Sequence, residues 1–352
     1  MSASNTALRA EPQIVRVSQD LVLPDGIDAR RCAGLEEDCG WLAILRNAFG
    51  HEPILLIALQ NGEYAGHLAL CSVESKLFGR FLVSLPFINS AGVRAVDSSF
   101  AAALIGRAVE LADDIDVRFL ELRHEQAIDH PALTETMSHK VHMRLALPNT
   151  SDELMTSLKS KRRSQLKNGL KRDFEFAWGG EERLGDFYRV FSRNMRDLGT
   201  PVYSKALFRE ILTQHGAVAE LCCAYDGARP IAAALLIHGA GTTEVPSASS
   251  LREYNPSNVN MAMYWHLLTR AIDRGQATFD FGRSTIDGST FAFKKQWGAT
   301  PSPANWQYHV RHGTINAARP DNTRYNMAIR LWKRLPLAIA NQLGPRIVRG
   351  IP

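Results

Sequence analysis

Two stretches of the chain are apolar without alternation and are folded back on themselves by turn residues. PILLIALQNGEYAGHLAL (53–70) is two apolar runs joined by Asn61-Gly62, a dipeptide that tolerates positive φ and marks a hairpin. AELCCAYDGARPIAAALLIHG (219–239) repeats the pattern around Asp226-Gly227. After the first comes a strand-like FLVSLPF, then SSFAAALIGRAVELADD with helical apolar spacing and Ser98 or Ser99 as cap, then a strand in VRFLELR. After the second comes TTEVPSASS, a strand-like run interrupted by Pro246. NPSNVNMAMYWHLLTRAIDRG follows as a helix capped by Ser257 or Asn258 and ended at Gly275, and ATFDFGR closes the unit. The paired turns lie 165 residues apart and the closing strands about 160. Order and spacing alone predict two copies of one hairpin–strand–helix–strand unit, each a mixed α/β layer.

Between the copies, LPNTSDELMTSLKSKRRSQLKNGLKRDFEF reads as a polar linker followed by a helix, which sets a boundary near residue 150. The expectation is an α/β (α+β) protein with mixed sheets flanked by helices. Its domains are 13–150 and 151–312, preceded by a disordered segment 1–12 and followed by a basic helical tail, 313–352. A length of 352 residues fits two domains better than one.

Composition narrows the chemistry. The five cysteines are Cys32, Cys39, Cys71, Cys222 and Cys223, an odd and scattered set that argues for free thiols. No secretory signal opens the chain and no apolar run approaches the ~20 residues of a membrane span, so a cytoplasmic location is expected. A net charge of +5 favours anionic partners. The eleven histidines show no HxH or HExxH spacing, and no metal is expected. GxSxG, Walker A and GxGxxG motifs are missing as well.

The candidate chemistry concentrates in TFDFGRSTIDGSTFAFKKQWG (278–298). Alternation puts Phe279 and Phe281 on one strand face and Asp280 on the other. Gly282 leaves room for a close approach, and Arg283 falls at the carboxyl end of the strand, the usual ligand edge. A buried Asp280–Arg283 pair that only ties the loop down is the plainer reading. Lys294 and Lys295 cannot face the same way on a helix, so one lies among Phe291, Trp297 and the strand and the other in water. A lysine in a partly apolar pocket can stabilise an oxyanion; snorkelling is the alternative. The helix LKSKRRSQLKNGLKR carries seven basic residues and no acidic one. It is either a grip for phosphates or a solvated face. Leu158, Leu166 and Leu170 form its inward stripe, with Arg162 on the same side. Tyr203, Asn194, Tyr254 and Asn260 are polar groups expected near the cleft. The tail RYNMAIRLWKRLPLAIANQLGPRIVRGIP lacks acidic residues. It reads as an interfacial helix on anionic lipid, broken at Pro336 and Pro345, or as a helix docked on its own domain.

On the basic RRSQLKNGLKRDFEF helix, the FDFGRS strand, LPFINSAGV and above all FAFKKQWG, the chain resembles the Fem-type aminoacyltransferases of the acyl-CoA N-acyltransferase (GNAT) superfamily. The tail's WKRLPLAIANQLGPRIVRG is similar to the branch that accompanies exosortase and PEP-CTERM exopolysaccharide systems. The resemblance implies two tandem GNAT-like domains and transfer of an acyl or aminoacyl group to an amine. The implied donor is acyl-CoA or aminoacyl-tRNA, both anionic. The implied acceptor is a glycan or peptide envelope precursor, lipid-linked if the tail touches the inner membrane. It also implies an oxyanion-stabilising role for Lys294 and a phosphate-bearing acceptor on Arg162 or Arg163. Arg283 is expected to orient substrate and Asp280 to orient Lys294 or Arg283. The chain departs from the family in lacking the long helical hairpin of some Fem enzymes and the R/Q-x-x-G-x-G/A loop of simple acetyltransferases. Two other readings stand beside this one: an acetyl-CoA-dependent small-molecule N-acetyltransferase, and a non-catalytic module binding anionic glycolipid or RNA.

Overall fold

The computed structural model describes residues 12–76, 78–315 and 326–352. The disordered segment expected at 1–12 lies outside these residues except for Pro12, as does Arg324 of the tail. In chain order the elements begin β1 (Gln13–Val17), α1 (Leu35–Phe49), β2 (Glu52–Gln60), β3 (Glu63–Ser75), β4 (Gly79–Val83), β5 (Arg94–Ala95), α2 (Ser98–Asp114), β6 (Phe119–His124), β7 (Glu135–Met137) and β8 (Lys140–Ala146). They continue with α3 (Ser151–Ser157), α4 (Ser160–Leu170), β9 (Glu175–Gly179), α5 (Leu184–Leu198), α6 (Lys205–His215), β10 (Ala219–Asp226), β11 (Arg229–His238) and β12 (Thr242–Ser250). Last come α7 (Val259–Asp273), β13 (Thr278–Thr285), α8 (Ser289–Lys295), β14 (Thr300–Pro303), β15 (Asn305–Val310), α9 (Asn326–Trp332) and α10 (Leu337–Val348).

The strands form two sheets with matching orders: β1-β2-β3-β4-β6-β15-β7, with β5 on β3, and β9-β10-β11-β12-β13-β8-β14. The repeat is therefore present in the topology, and it has a twist that the sequence pattern did not announce. β8 precedes the boundary expected near residue 150 yet pairs with β13 and β14 in the second sheet. β15 follows the second unit yet pairs with β6 and β7 in the first. Each sheet thus borrows one strand from the other end of the chain.

Alternation on β2 sends Leu55 and Ile57 to one core and Ile54 and Leu56 to another. On β11 it divides Ala233 and Leu235 from Ala234 and Leu236 in the same way. Both central hairpins are covered on both faces, which is why their runs read as continuously apolar. The inner faces share one core with α1, α5 and α6 between the sheets. The first sheet carries α2 on its outer face, and α4 and α7 cover the second.

Several local expectations change. The cap of α2 is Asp97, whose carboxylate accepts from the amides of Ser99 and Phe100, because Ser98 already lies inside the first turn. The second hairpin turns on Gly227-Ala228, with Asp226 still paired to Arg229. Leu158 and Leu166 are buried, but Leu170 is exposed at the helix end. Pro345 does not break α10, which runs through it at the cost of one ladder hydrogen bond. The tail docks through Ala340, Gly344 and Val348; a Cβ on Gly344 would lie 2.7 Å from the Val202 amide nitrogen.

FLVSLPF is strand only as far as Val83. Beyond it Leu85 and Phe87 take positive φ (43° and 71°), and the chain curls back so that the Ala91 amide reaches the Arg123 carbonyl. Buried Arg123 holds this turn, donating to Glu121 at 2.7 Å and to the Ile88 carbonyl at 2.7 Å. Arg123→Met would leave Glu121 buried without its partner. It is expected to lower unfolding free energy by about 3 kcal/mol in urea titration, whereas Arg16→Met, at an exposed pair with Glu52, should cost under about 1 kcal/mol.

Candidate functional site

The site grows from a fork in the second sheet. β12 and β13 are parallel and pair only at Thr242/Thr278, Thr243/Phe279 and Glu244/Asp280. Pro246 follows, with no amide hydrogen to offer, and the β11–β12 register slips around it. The equivalent fork between β4 and β6 is filled, since Ser84 bonds to Glu121 and Ala91 to Arg123. Among the described residues no backbone segment pairs into the β12–β13 fork in that way.

Beside the fork, between the two sheets, lies a cavity of about 260 Å³. The first domain contributes Glu37, Asp38 and Trp41 from α1, the Ile88–Ser90 turn, Arg94 and Glu125. The second sheet contributes His142, Arg144, the β11–β12 turn, Glu244 and Asp280. Alternation on β8 explains the pair His142 and Arg144: Val141 and Met143 belong to the outer core, so their neighbours face inward. Arg144 bridges the walls, its Nε donating to Asp280 at 2.8 Å and its Nη1 to Glu125 at 2.9 Å. That guanidinium holds the Glu125 carboxyl down to about 2.

Glu244 behaves oppositely. Its side chain is solvent-exposed on the cavity wall, with protein crowding it on the other sides. This desolvation, followed by the charges of Asp280 and Glu37, pushes its carboxyl up to about 7. Desolvation likewise raises Glu37. His142 is 1% exposed, and neither ring nitrogen has a hydrogen-bond partner within the protein. Burial lowers its proton affinity against the pull of Glu125 and Asp280. No group of three or more His, Cys, Asp or Glu among the described residues is arranged to hold a metal ion.

Asp280, Arg283 and Lys294 do come together. Asp280 accepts from the Gly282 amide at 2.7 Å, within a bulge where the β8–β13 register slips between Asp280 and Arg283. Gly282 has φ 74°, and its missing Cβ would sit 3.2 Å from the Asn89 side-chain nitrogen of the first domain. Lys294 is the buried lysine, its Nζ donating to the carbonyls of Gly282 (3.1 Å) and Arg283 (3.0 Å), while Lys295 is exposed. Desolvation lowers Lys294 to about 8, against the pull of Asp280. Arg283 is not in an ion pair with Asp280, the plainer reading of the motif; Asp280 takes Arg144 instead. The Arg283 guanidinium stacks 3.2 Å from the centroid of Trp306 on β15, whose ring also carries Arg123 at 4.0 Å.

The other candidates are scattered. Tyr203 packs against Phe87 and Phe191, and burial raises its hydroxyl. Asn194 donates to Ser249 on β12 at 3.1 Å. Tyr254 donates to Asp226 at 2.9 Å at the exposed end of the β10–β11 hairpin, and Asn260 lies in the first turn of α7. Arg162 and Arg163 sit on α4, bonded to Gln165 and to the Thr156 carbonyl. A larger groove, about 440 Å³, opens near Arg189, Arg193 and Arg229, but these are already engaged with Asp186 and Glu253. The cavity's own Glu37, Asp38, Arg94, Glu125, His142, Arg144 and Glu244 carry no local signal in the sequence, because they arrive from five separate segments.

Residues 154–295 match the family model described as an acetyltransferase (GNAT) domain. Three solved structures are similar over most of their lengths. FemX aligns with TM-score 0.60 and 15% identity, covering 82% of this chain and 93% of its own. The C-terminal domain of a putative lysylphosphatidylglycerol synthetase from Agrobacterium fabrum gives TM-score 0.53 and 11% identity, covering 80% and 88%. A tandem GNAT protein from the clavulanic acid biosynthesis pathway gives 0.52 and 12%, covering 85% and 97%. No curated protein sequence matches the chain. The fold is two tandem GNAT-like domains.

Because Lys294 binds its proton less tightly when folded, the unfolded chain carries more protons between pH 8 and 10.5, and stability from this residue rises with pH across that window. The stability of the wild type relative to Lys294→Met should therefore increase by about 3 kcal/mol from pH 8 to 10.5, measured by denaturant titration at each pH. A pH-independent difference would contradict the lysine's burial in charged form.

Proposed function

We propose that the protein is an N-acyltransferase that moves an acyl or aminoacyl group from an anionic thioester or ester donor to an amine. The observation that carries this reading is the placement of Glu244, beside Asp280 at the open fork of the domain that matches the GNAT model, where its carboxyl is raised to about 7. An ammonium must lose a proton before its nitrogen can attack a carbonyl, and a base near neutrality does this best. Glu244 takes the proton, the nitrogen lone pair adds to the donor carbonyl carbon, and a tetrahedral oxyanion forms. Its collapse breaks the C–S or C–O bond, and the departing sulfur or oxygen takes up the second proton, which the nitrogen sheds as it becomes an amide. Lys294 is assigned a charge near the oxyanion. Two of its hydrogens hold the Gly282 and Arg283 carbonyls, so the bulge it pins also fixes its direction.

Charge is segregated around the fork in a way that supports this division of labour. The cavity is acidic and suits the amine. The donor phosphates are assigned to α4, including Arg162 and Arg163, which lies against the start of α7. Gly169 permits that approach, since a Cβ there would lie 2.8 Å from the Asn258 carbonyl oxygen. Helix N-termini and arginines are both suited to phosphate. Acyl-CoA and aminoacyl-tRNA share this chemistry, and the GNAT match favours the former.

The tail supports a lipid-linked acceptor, such as an envelope or exopolysaccharide precursor of the exosortase-associated kind. Met327 and Leu331 on α9 and Ile339 and Leu343 on α10 are exposed, among Arg330, Lys333, Arg334, Arg346 and Arg349. Among the described residues no helix is long and apolar enough to cross a membrane.

Turnover is to be followed as free-thiol release from acyl-CoA in the presence of amines, with charged tRNA as the parallel donor. With the active donor, kcat/KM should rise with pH through about 7 as Glu244 ionises and fall again above about 8 as Lys294 loses its charge. Glu244→Gln should remove the rising limb and lower kcat/KM at least about a hundredfold, and Lys294→Ala should cost about a hundredfold in kcat. An unchanged profile in Glu244→Gln would overturn the assigned base.

A further inference from the structure

The cavity holds more negative charge than one amine needs. Glu37, Asp38, Glu125, Glu244 and Asp280 face Arg94 and Arg144. Arg144 is shared by Glu125 and Asp280, and Arg94 lies 3.6 Å from Asp38 and 4.0 Å from Glu37. One oxygen of Asp38 is hydrogen-bonded to His67 at 2.8 Å, which leaves Glu37 and the other Asp38 oxygen to the cavity. The surplus is divided between two walls. Glu244 and Asp280 are register neighbours on β12 and β13, and Glu37 and Asp38 are consecutive on α1. Phosphate is therefore repelled from this space, which at about 260 Å³ is also smaller than most cofactor pockets. The carboxylates do not converge as metal ligands would.

An independent feature points to a ligand. His142 is buried at 1% exposure, lines the cavity and leaves both ring nitrogens without protein partners. A buried imidazole without hydrogen bonds is costly unless something else meets it. A neutral ring can accept one hydrogen from an ammonium and donate one to a neighbouring polar group.

We infer that this cavity is a subsite for a small dication, with one ammonium at Glu244 and Asp280, the second at Glu37 and Asp38, and His142 accepting a hydrogen from the ligand. Either a free aliphatic diamine or the two amines of a basic amino acid has this chemistry. The inference rests on the acyl-transfer reading only in naming the ammonium at Glu244 as the acceptor; the second stays charged and fixes the molecule's direction.

Titration calorimetry on the full chain at low salt tests it with 1,5-diaminopentane, L-lysinamide and, as the singly charged control, pentylamine. At least one of the two dications should bind ten or more times tighter than pentylamine, and which one leads tells a free diamine from a basic amino acid. Glu37→Gln should abolish that advantage, and His142→Phe, shown folded by its melting curve, should weaken the preferred dication several-fold. Equal binding of all three amines, no binding of any, or a preference that survives Glu37→Gln overturns the inference. The two proposals fail separately. Acyl transfer to pentylamine without any dication preference sinks only this subsite, and a dication preference without transfer from any donor sinks only the catalytic reading.

Discussion

Everything at the cleft hangs on the exchange of one strand between the two sheets. β8 leaves the first unit to lie between β13 and β14, and β15 leaves the second to lie between β6 and β7. A strand placed in this way is fixed by backbone hydrogen bonds on both sides, so its side chains are aimed rather than merely tethered. Through β8 the protein sets His142 and Arg144 against Asp280. Through β15 it sets Trp306 between Arg123 and Arg283, one guanidinium from each sheet. The two domains are thereby held in one relative position at the edge where the cavity opens.

The two copies of the unit have diverged where their parallel strands separate. In the first sheet the SLPFIN turn occupies the gap, held in an unfavourable backbone conformation by Arg123. Such strain persists only where surrounding contacts outweigh it. The second sheet keeps its gap, with Pro246 stopping the pairing and Lys294 holding the carbonyls of the bulge beyond it. One copy has become a wall with acidic and polar side chains, and the other retains the opening in which a reacting carbonyl could be placed.

The cleft also shows how burial and charge divide similar groups. Glu125 and Glu244 both line the cavity, yet one is held low by Arg144 and the other is raised by desolvation and by its acidic neighbours. A carboxylate locked in an ion pair serves to join the walls. One left near neutrality can exchange a proton.

What the sequence by itself determined was periodicity and punctuation. The two hairpins, the helices after them, the FDFGR strand with Asp280 opposite its phenylalanines, and the burial of one lysine out of Lys294 and Lys295 all follow from local pattern and turn chemistry. Each depends on residues within a few positions of one another, where alternation and helical spacing act directly. The partners of those residues were decided only by the tertiary structure. Nothing near Asp280 in the chain announces Arg144, 136 residues away, and nothing in TTEVPSASS distinguishes Glu244 from any exposed strand residue. Its raised proton affinity comes from desolvation and from Asp280, Glu37 and Glu125, groups that only the folding of two sheets around one central layer brings together.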